Sequence, residues 1–381
     1  MKLSNRVGQI VATALSLILL SGGGTAATAQ TLTTLYPFSG PPDGKNSVAA
    51  LIADASGALY GTTETGGSGT GCGGGCGTVF KLTPPPKTGG PWIESVLYSF
   101  TNSPDGALPQ ASLIADASGA LYGTTTSGGT GCSSGACGTV FKLTPPPKTG
   151  GPWTENVLYS FTGGSDGGIP LGSLFADASG ALYGTTEVGG SGGGGTVFKL
   201  TPPTPPATTW TVSVLYSFAG GSDGANPQAG VIADTSGALY STTLQGGVSG
   251  GCAGRGCGTV FKLTPPTPPA TTWTESVLYI FTDVPDGSLP QAGLIIADAS
   301  GALYSTTAND GGTGCSGSGC GTVFKLQLPA IFQGVPGQAN CVGQSISFLA
   351  KTHGGIAAAA AALQFASVQD FQNAITSFCT T

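Results

Sequence analysis

One block of sequence recurs five times along this chain, and it limits the possible folds more than any other feature. The first copy, Leu-Ile-Ala-Asp-Ala-Ser-Gly-Ala-Leu-Tyr-Gly-Thr-Thr, spans residues 51–63, and a glycine-rich gap separates it from Gly-Thr-Val-Phe-Lys-Leu at residues 77–82. Successive copies lie 62, 61, 57 and 64 residues apart, as marked by Tyr60, Tyr122, Tyr183, Tyr240 and Tyr304. A nearly constant period of this length is typical of a repeat architecture.

Each repeat contains four segments with the composition of a β-strand. In the second repeat they are residues 112–115, 120–125, 138–143 and 153–161, which are rich in aromatic and β-branched side chains. The Asp-Ala-Ser-Gly sequence at 116–119 predicts a type I turn, and the prolines at 145–147 predict a connection because they cannot donate to a sheet. With a period of two, Val157 and Tyr159 are expected on one face of the fourth strand and Leu158 on the other.

These segments predict an all-β fold over residues 30–330, a five-bladed β-propeller whose blades are four-stranded antiparallel sheets. Residues 31–38 match a fourth strand, with Tyr36 aligned to Tyr98, whereas the last repeat stops after its third strand at Leu326. If the N-terminal strand completes the last blade, the ring closes and no sheet edge remains exposed. An open solenoid is the alternative, but it would require distinct capping repeats.

The repeat also resembles a known family. Leu-Tyr-Gly-Thr-Thr at 59–63, Gly-Gly at 66–67 and Gly-Thr-Val-Phe-Lys-Leu at 77–82 resemble the GloVer (Gloeo_Verruco) tandem repeat of exported bacterial proteins. The resemblance covers about residues 31–328 and implies a surface or secreted protein, and no enzymatic activity comes with it. Members of that family often end in a sorting anchor, but this C-terminus has no Pro-Glu-Pro motif, transmembrane run or basic tail.

The N-terminus predicts an export signal at residues 1–29. Lys2 and Arg6 precede an apolar run from Val11 to Leu20, and Ala27-Thr28-Ala29 has the small residues that a signal peptidase requires. The run is short for a membrane span, so no span is expected in the mature chain. The predicted localisation is extracellular, periplasmic or cell surface.

The charge content argues against nucleic acid as a partner. Charged residues make up 8% of the chain, the net charge is -6, and lysines and arginines form no cluster. Binding to nucleic acid gains its free energy from counter-ion release, which requires several basic side chains on one face. Anionic membranes are disfavoured for the same reason.

Ten cysteines in an exported chain predict disulfide bonds. Eight lie as local pairs in one gap of the repeat, Cys72 with Cys76, Cys132 with Cys137, Cys252 with Cys257, and Cys315 with Cys320, while the third repeat has Gly192–Gly195 there. A two-thiolate metal site is the alternative, but zinc takes about four ligands and His353 is the only histidine. No metal or cofactor is therefore predicted.

The tail from 338 to 381 predicts a small α-helical module. Val342, Ile346 and Leu349 are spaced along one helix face, residues 356–363 are alanine-rich, and Ser367 with Asp370 resembles a capping box. Cys341 and Cys379 bracket these helices and are predicted to form a disulfide. The module is expected to dock or to contact a partner, and His353 is expected to end the first helix rather than to catalyse a reaction.

Five Asp-Gly loops are the candidate ligand-binding residues. In a propeller these loops and the cysteine/glycine loops emerge on the same rim, which gathers Asp43, Asp105, Asp166, Asp223 and Asp286. Asp followed by Gly is also ordinary turn chemistry, in which the aspartate caps its own backbone. A single carboxylate per loop supplies few of the roughly six to eight oxygens that calcium takes.

Two classes of function remain open. The first is a non-catalytic propeller that binds a glycan or a cell-envelope partner through this rim, with several weak sites acting together. The second is a glycan-cleaving hydrolase or lyase, which needs two carboxylates with different pKa values. The acidic residues outside the repeat pattern that could serve an enzyme include Glu64 and Glu187, and the blades contain no histidine.

Overall fold

The computed structural model describes residues 32–328 and 341–380, except 88, 132–136, 149, 248–251, 297–300, 312–318, 354, 363–364 and 366. The predicted export signal at 1–29 lies outside the described residues. The chain divides into two compact units, Met1–Leu35 and Tyr36–Thr381. In the first, residues 32–35 are exposed; everything that follows concerns the second.

The repeats fold into small antiparallel sheets, and each complete blade contains its four strands in chain order. In the first repeat the strands are β1 (Gly44–Lys45), β2 (Ile52–Ala53), β3 (Leu59–Thr63), β4 (Thr65–Gly66), β5 (Thr78–Thr83) and β6 (Ile93–Ser99). The first blade is β2-β3-β5-β6, and β1 pairs with β4 in a short ladder beside it.

The other four repeats follow the same order. The second blade contains β7 (Ile114–Ala115), β8 (Leu121–Thr125), β9 (Thr139–Thr144) and β10 (Thr154–Ser160). The third contains β11 (Phe175–Ala176), β12 (Leu182–Thr186), β13 (Thr196–Thr201) and β14 (Thr211–Ser217). The fourth contains β15 (Ile232–Ala233), β16 (Leu239–Thr243), β17 (Thr259–Thr264) and β18 (Thr274–Ile280), and the fifth β19 (Ile295–Ile296), β20 (Leu303–Thr307) and β21 (Thr322–Leu326). The predicted five-bladed β-propeller is confirmed.

A β-bulge in the fourth strand changes the predicted assignment of faces. In β10, Val157 lies opposite Phe141 but Tyr159 lies opposite Val140, because Leu158 is bulged between them. Val157 and Tyr159 therefore lie on opposite faces, and the prediction that they share one is wrong. The third and fourth blades have the same register shift in β14 and β18. A bulge inserts one extra residue, which a strict period of two does not anticipate.

Consecutive blades pack through the same two sets of four apolar residues. Between the first two blades, the face of the first blade that is turned toward the second contains Ala58, Tyr60, Val79 and Phe100. The face of the second blade that is turned toward the first contains Leu113, Leu121, Phe141 and Leu143. We call these the trailing face and the leading face of a blade. Equivalent residues pack between the second and third, third and fourth, and fourth and fifth blades. Each junction also contains an edge-to-face phenylalanine pair, such as Phe100 against Phe141.

The fifth blade has three strands among the described residues, so the predicted closing ladder with the N-terminal strand is not formed. The ladders that do form join strands that follow one another along the chain, whereas the closing ladder would join segments at opposite ends of the repeat region, at a higher entropic cost of loop closure. Phe38 nevertheless packs edge-to-face on Phe80, as Phe100 packs on Phe141. Phe38 thus takes the position against the first blade that Phe100 takes against the second.

Two blade faces are less covered than their counterparts, although Phe80 and Leu82 on the leading face of the first blade are only 1% and 5% exposed. Val323 in β21 is 83% exposed, whereas Val79, Val140, Val197 and Val260 at the same position are each 0% exposed. Leu51 on the leading face of the first blade is 46% exposed, whereas Leu113, Leu174, Val231 and Leu294 are at most 5% exposed.

The C-terminal module contains three helices, as predicted: α1 (Cys341–His353), α2 (Ile356–Ala362) and α3 (Val368–Thr380). The hydroxyl of Ser367 accepts a hydrogen bond from the Asp370 amide at 3.0 Å and donates one to the Asp370 carboxylate at 2.7 Å, which caps α3. The module has its own apolar core around Leu349, Phe371 and Ile375. No helix in the described part of the chain is long and apolar enough to cross a bilayer.

Candidate functional site

Each of the five Asp-Gly aspartates accepts a hydrogen bond from a tyrosine seven residues earlier. The phenol oxygens lie 2.7–3.2 Å from the carboxylates in the pairs Tyr36 with Asp43, Tyr98 with Asp105, Tyr159 with Asp166, Tyr216 with Asp223, and Tyr279 with Asp286. In four of the pairs the tyrosine lies near the end of the fourth strand of one blade and the aspartate in the loop that leads to the next, whereas Tyr36 lies in the segment before the first blade. We call this pair the Tyr–Asp lock.

The aspartate of the lock also accepts hydrogen bonds from donor groups in its own loop. Asp105 accepts bonds from the Thr101 amide at 3.0 Å and from the Thr101 hydroxyl at 2.6 Å, in addition to the Tyr98 hydroxyl at 2.7 Å. It is only 4% exposed. Burial, followed by the bond to the Asp166 carboxylate, raises the pKa of Tyr159 to about 12. These aspartates therefore cap their own loops, as the turn interpretation predicts.

Backbone hydrogen bonds bring the Asp-Gly loops and the cysteine/glycine loops to one rim. The amide of Gly67 donates to the carbonyl of Asp43 at 2.8 Å, and the amide of Gly190 donates to Gly164 at 2.8 Å. The next blade is hydrogen-bonded to the same rim, because the Leu108 amide donates to the carbonyl of Cys76 at 2.8 Å. In the third repeat, Gly194 supplies the carbonyl instead and accepts from the Asn226 amide at 2.7 Å.

The predicted disulfides form wherever both cysteines are described. Cys72–Cys76, Cys252–Cys257 and Cys341–Cys379 are bonded. Cys137 and Cys320 are also disulfide-bonded, and their predicted partners Cys132 and Cys315 lie outside the described residues. Cys252, Cys257 and Asp283 lie close enough together to suggest a metal site, but a sulfur in a disulfide is not a thiolate ligand.

A different set of tyrosine–aspartate hydrogen bonds holds the Asp-Ala-Ser-Gly turns. Asp54 accepts bonds from the Ser56 hydroxyl at 2.6 Å and the Tyr60 hydroxyl at 2.9 Å, and the bond from Ser56 is the main cause that lowers its pKa to about 2. The Lys81 ammonium lies 5.2 Å from the centre of the Tyr60 ring. Asp116, Asp177 and Asp234 accept equivalent bonds from their tyrosines.

Three glutamates face the locks from the following blade, and sequence reasoning did not single them out. Glu94, Glu155 and Glu275 lie at the same position of β6, β10 and β18, where β14 has Val212. Their Oε1 atoms are buried without a hydrogen-bond partner. Burial, followed by the charge of Asp43, Asp105 and Asp223 respectively, raises the pKa of each glutamate to about 7.

One of these carboxylate pairs lines an open cleft. Asp43 and Glu94, with Pro42, Ser68 and Tyr98, border a cavity of about 600 Å³. Burial alone would raise the pKa of Asp43, but hydrogen bonds from Ser39, Gly44 and Tyr36 outweigh it and lower that pKa. The cleft therefore combines a carboxyl whose pKa is raised with one whose pKa is lowered.

Glu64 and Glu187, the two glutamates considered for catalysis, instead form hydrogen bonds between blades. Glu64 accepts a hydrogen bond from the Gln110 amide at 3.0 Å, and Glu187 accepts one from Gln228 at 2.9 Å. The constant spacing of seven residues between each lock tyrosine and aspartate is visible in the sequence, and it could have identified the locks. The spacing of Glu94, Glu155 and Glu275 two residues after a tryptophan is visible as well.

Fold and site together define a tandem-repeat β-propeller whose rim loops are fixed by Tyr–Asp locks and disulfides. The chain belongs to the Gloeobacter/Verrucomicrobia repeat family, whose model matches residues 23–174 and 130–335. No curated protein sequence matches it significantly.

Several solved structures are similar to the chain at low identity. A gluconolactonase from Xanthomonas campestris is 14% identical, with a TM-score of 0.38 over 67% of this chain and 67% of that one. A luciferin-regenerating enzyme is 14% identical, with a TM-score of 0.42 over 74% and 92%. An inulosucrase from Halalkalicoccus jeotgali bound to kestose is 14% identical, with a TM-score of 0.36 over 69% and 73%. Identities this low carry no information about the activity of this chain.

Proposed function

We propose that the protein is an exported, non-catalytic propeller that binds a glycan or a cell-envelope protein through the rim of Asp-Gly and cysteine/glycine loops. The observation that carries the proposal is the Tyr–Asp lock, which recurs in all five repeats. In all five loops the carboxylate caps its own loop, which holds the rim in one conformation. Catalysis, by contrast, needs an acid and a base in different environments.

A rigid rim of repeated loops suits multivalent attachment. The loops are glycine-rich, and braces such as Cys72–Cys76 and Cys252–Cys257 hold their tips. Rigid loops lose less conformational entropy when they bind. Several equivalent loops that each bind weakly reach a high combined affinity when the partner carries repeated units, as a polysaccharide does.

A glycan array with paired variants tests this assignment. One variant changes the rim aspartates Asp43, Asp105, Asp166, Asp223 and Asp286 to Asn. The matched control changes Asp54, Asp116, Asp177 and Asp234, which accept a tyrosine hydrogen bond in the other set of turns. We expect glycan binding to be lost in the rim variant alone, with both variants folded by circular dichroism. Binding that survives all the rim changes would remove the rim from the proposal.

Export is tested separately. The N-terminal charge, the apolar run and the small residues before Gln30 support cleavage after Ala29, and the disulfides suit an oxidising compartment. N-terminal sequencing of protein recovered from the periplasm or medium should begin at Gln30. An intact Met1 on the folded, oxidised protein would contradict cleavage.

The cleft of Asp43 and Glu94 favours one alternative, a glycan-cleaving hydrolase or lyase. A neutral Glu94 could act as the acid while an ionised Asp43 acts as the base or nucleophile. Release of reducing ends from a panel of polysaccharides, lost in Glu94→Gln and retained in Glu155→Gln, would support it. Equal release by both variants, or no release by the wild type, would count against catalysis.

A further inference from the structure

The rim departs from its repeat at one place, between the third and fourth blades. The two threonines that bracket the cysteine/glycine loop are 10 residues apart in the third repeat, as Thr186 and Thr196, and 14–16 residues apart in the other four. The short loop has Gly192–Gly195 where the other repeats have a cysteine pair. Of the five loops, it therefore brings the least chain to the rim.

A groove of about 440 Å³ lies at this place. Its walls come from the short loop, from the Asp-Gly loop after β14 and from the loop between β16 and β17. Gly193, Gly220 and Gly254 line it with positive φ values, and a Cβ at Gly193 or Gly254 would meet open space. The volume lies in the range of roughly 300–1,000 Å³ that is typical of small-molecule sites.

Arg255 gives the groove a charged side chain, the one charge among the described lining residues. It is also the only arginine after residue 29 of the sequence. The first repeat has Gly74 at the corresponding place, because Gly66 donates to the Gly74 carbonyl as Gly246 donates to that of Arg255. The Arg255 side chain is exposed and forms no ion pair within the described part of the chain, so its guanidinium can bind an anion.

Two amide side chains extend this polar lining. Gln245 is half-buried, and neither end of its amide is hydrogen-bonded within the described residues. The amide nitrogen of Asn226 donates to the Glu187 carbonyl at 3.1 Å, which leaves its oxygen as an acceptor. Donors and acceptors side by side match sugar hydroxyls, which both donate and accept.

We propose that this groove is the subsite at which the rim binds an acidic sugar, whose carboxylate or sulfate pairs with Arg255 while Gln245 and Asn226 bind its hydroxyls. The inference rests on the proposed binding of a glycan and narrows its chemistry. A planar guanidinium donates two parallel hydrogen bonds to the oxygens of one anionic group. A single arginine suits one acidic sugar, whereas a run of phosphates would require a basic surface that a chain of net charge -6 lacks.

An acidic peptide fits this groove less well. The described lining has no aromatic side chain and no aliphatic side chain larger than alanine. Peptides and proteins bind mainly through aromatic or large side chains that fill apolar pockets. The groove offers instead glycine backbone, amides and one cation.

The fourth Tyr–Asp lock fixes one wall of the groove. The Asp223 carboxylate accepts hydrogen bonds from the Tyr216 hydroxyl at 3.2 Å and from the Ala219 amide at 2.8 Å, and Ala219 lines the groove. Loss of this lock should therefore weaken binding at the subsite, although Asp223 itself is not a ligand there.

Calorimetric titration of residues 30–381 with matched oligosaccharides tests the proposal. Oligogalacturonate carries a carboxylate on each sugar, and its methyl ester has the same hydroxyls without the charge. At low salt we expect the free acid to bind about tenfold more tightly than the ester, because a charge-assisted pair is lost in the ester. A sulfated galactan oligomer is the third probe, and tighter binding of this probe than of the free acid identifies sulfate as the anion.

Two variants and a control locate the site. Arg255→Gln should bind acid and ester alike, because the charge is gone. Asn226→Leu, which installs the residue found at Leu108 and Leu289, should weaken acid and ester together. Lys148→Gln removes one positive charge from the exposed connection between β9 and β10 and should bind like the wild type. Circular dichroism checks the fold of all three.

The outcomes separate this subsite from the proposed function. A wild type that binds neither acidic probe more tightly than the ester, or an Arg255→Gln variant that keeps the preference, would overturn the subsite, and other glycan binding on the array would leave the proposed function standing. Absence of binding to any glycan would remove both. Tighter binding of oligoglutamate than of oligogalacturonate would assign the groove to an acidic peptide and overturn the proposal.

Discussion

The first two blade junctions share their apolar residues but differ at one polar position. Between the first and second blades, Glu155 faces the lock of Tyr98 and Asp105, whereas between the second and third blades Val212 stands at that position beside Tyr159 and Asp166. Both junctions retain the phenylalanine pair, at 5.0 and 5.1 Å. The comparison shows that the lock and the phenylalanine pair are also present at a junction without the glutamate, and that the glutamate adds a carboxyl whose Oε1 is buried without a hydrogen-bond partner.

The largest expected effect breaks the lock itself. Asp105→Ala removes a buried carboxylate that three donor groups contact, so we expect the free energy of unfolding to fall by about 3 kcal/mol. Asp166→Ala removes a more exposed lock, and the expected loss is about 1–2 kcal/mol. Chemical denaturation of both variants checks the difference. Equal losses would mean that burial does not distinguish the two junctions.

The next effect is a pH dependence that the glutamates impose. Their folded pKa of about 7 lies above the ordinary 4.5, so the stability they contribute is present in full below about pH 4.5 and is lost as pH rises through 7. Discounted for solvent screening, the loss amounts to about 1 kcal/mol for each glutamate between pH 5 and 8. Denaturation across this range should show stability falling as pH rises.

The combined variant Glu94→Gln, Glu155→Gln and Glu275→Gln provides the control for this slope. Glutamine keeps the shape of a protonated glutamate and does not ionise, so the variant should lose the slope above pH 5 and match the wild type at pH 5. A slope that persists in this variant would assign the pH dependence to other groups.

A smaller effect is expected when the residues that distinguish the two junctions are exchanged. Glu155→Val installs the residue found in β14, and we expect it to stabilise the protein by about 1 kcal/mol at pH 8 and by less at pH 5. Val212→Glu should do the reverse, with a loss that grows as pH rises. Thermal unfolding at the two pH values measures both. Changes that are the same at both pH values would contradict the role of ionisation.

The smallest effect concerns the backbone at the start of each blade. Leu108 and Ile169 adopt φ values of 58° and 55°, where a side chain is strained, and Asn226 occupies the same position with φ 55°. Asparagine tolerates this region better than a β-branched residue, so Ile169→Asn should stabilise the protein by about 0.5 kcal/mol. Asn226→Ile provides the opposite change, and a gain from it in denaturation would refute the argument.

Local rules predicted most of the fold. Turn residues, strand composition and cysteine spacing are properties of neighbouring residues, so the blades, the disulfides with both cysteines described and the three helices could be read from the sequence. The bulge at Leu158 could not, because it depends on the register with β9. The exposure of Val323 was also beyond local rules, since it depends on what packs against the fifth blade.

The site was only partly predictable for the same reason. Asp-Gly indicated a turn, and the structure adds that the Tyr98 hydroxyl crosses to Asp105 in that turn. The residues that flank Glu155 in the sequence give no sign that its side chain is buried. Its burial and its proximity to Asp105 arise only when two blades meet.

The matching of trailing and leading faces has a consequence for how such a chain changes in length. A duplicated or deleted repeat would meet a neighbour whose surface already fits, so recombination between repeats yields foldable products without compensating substitutions.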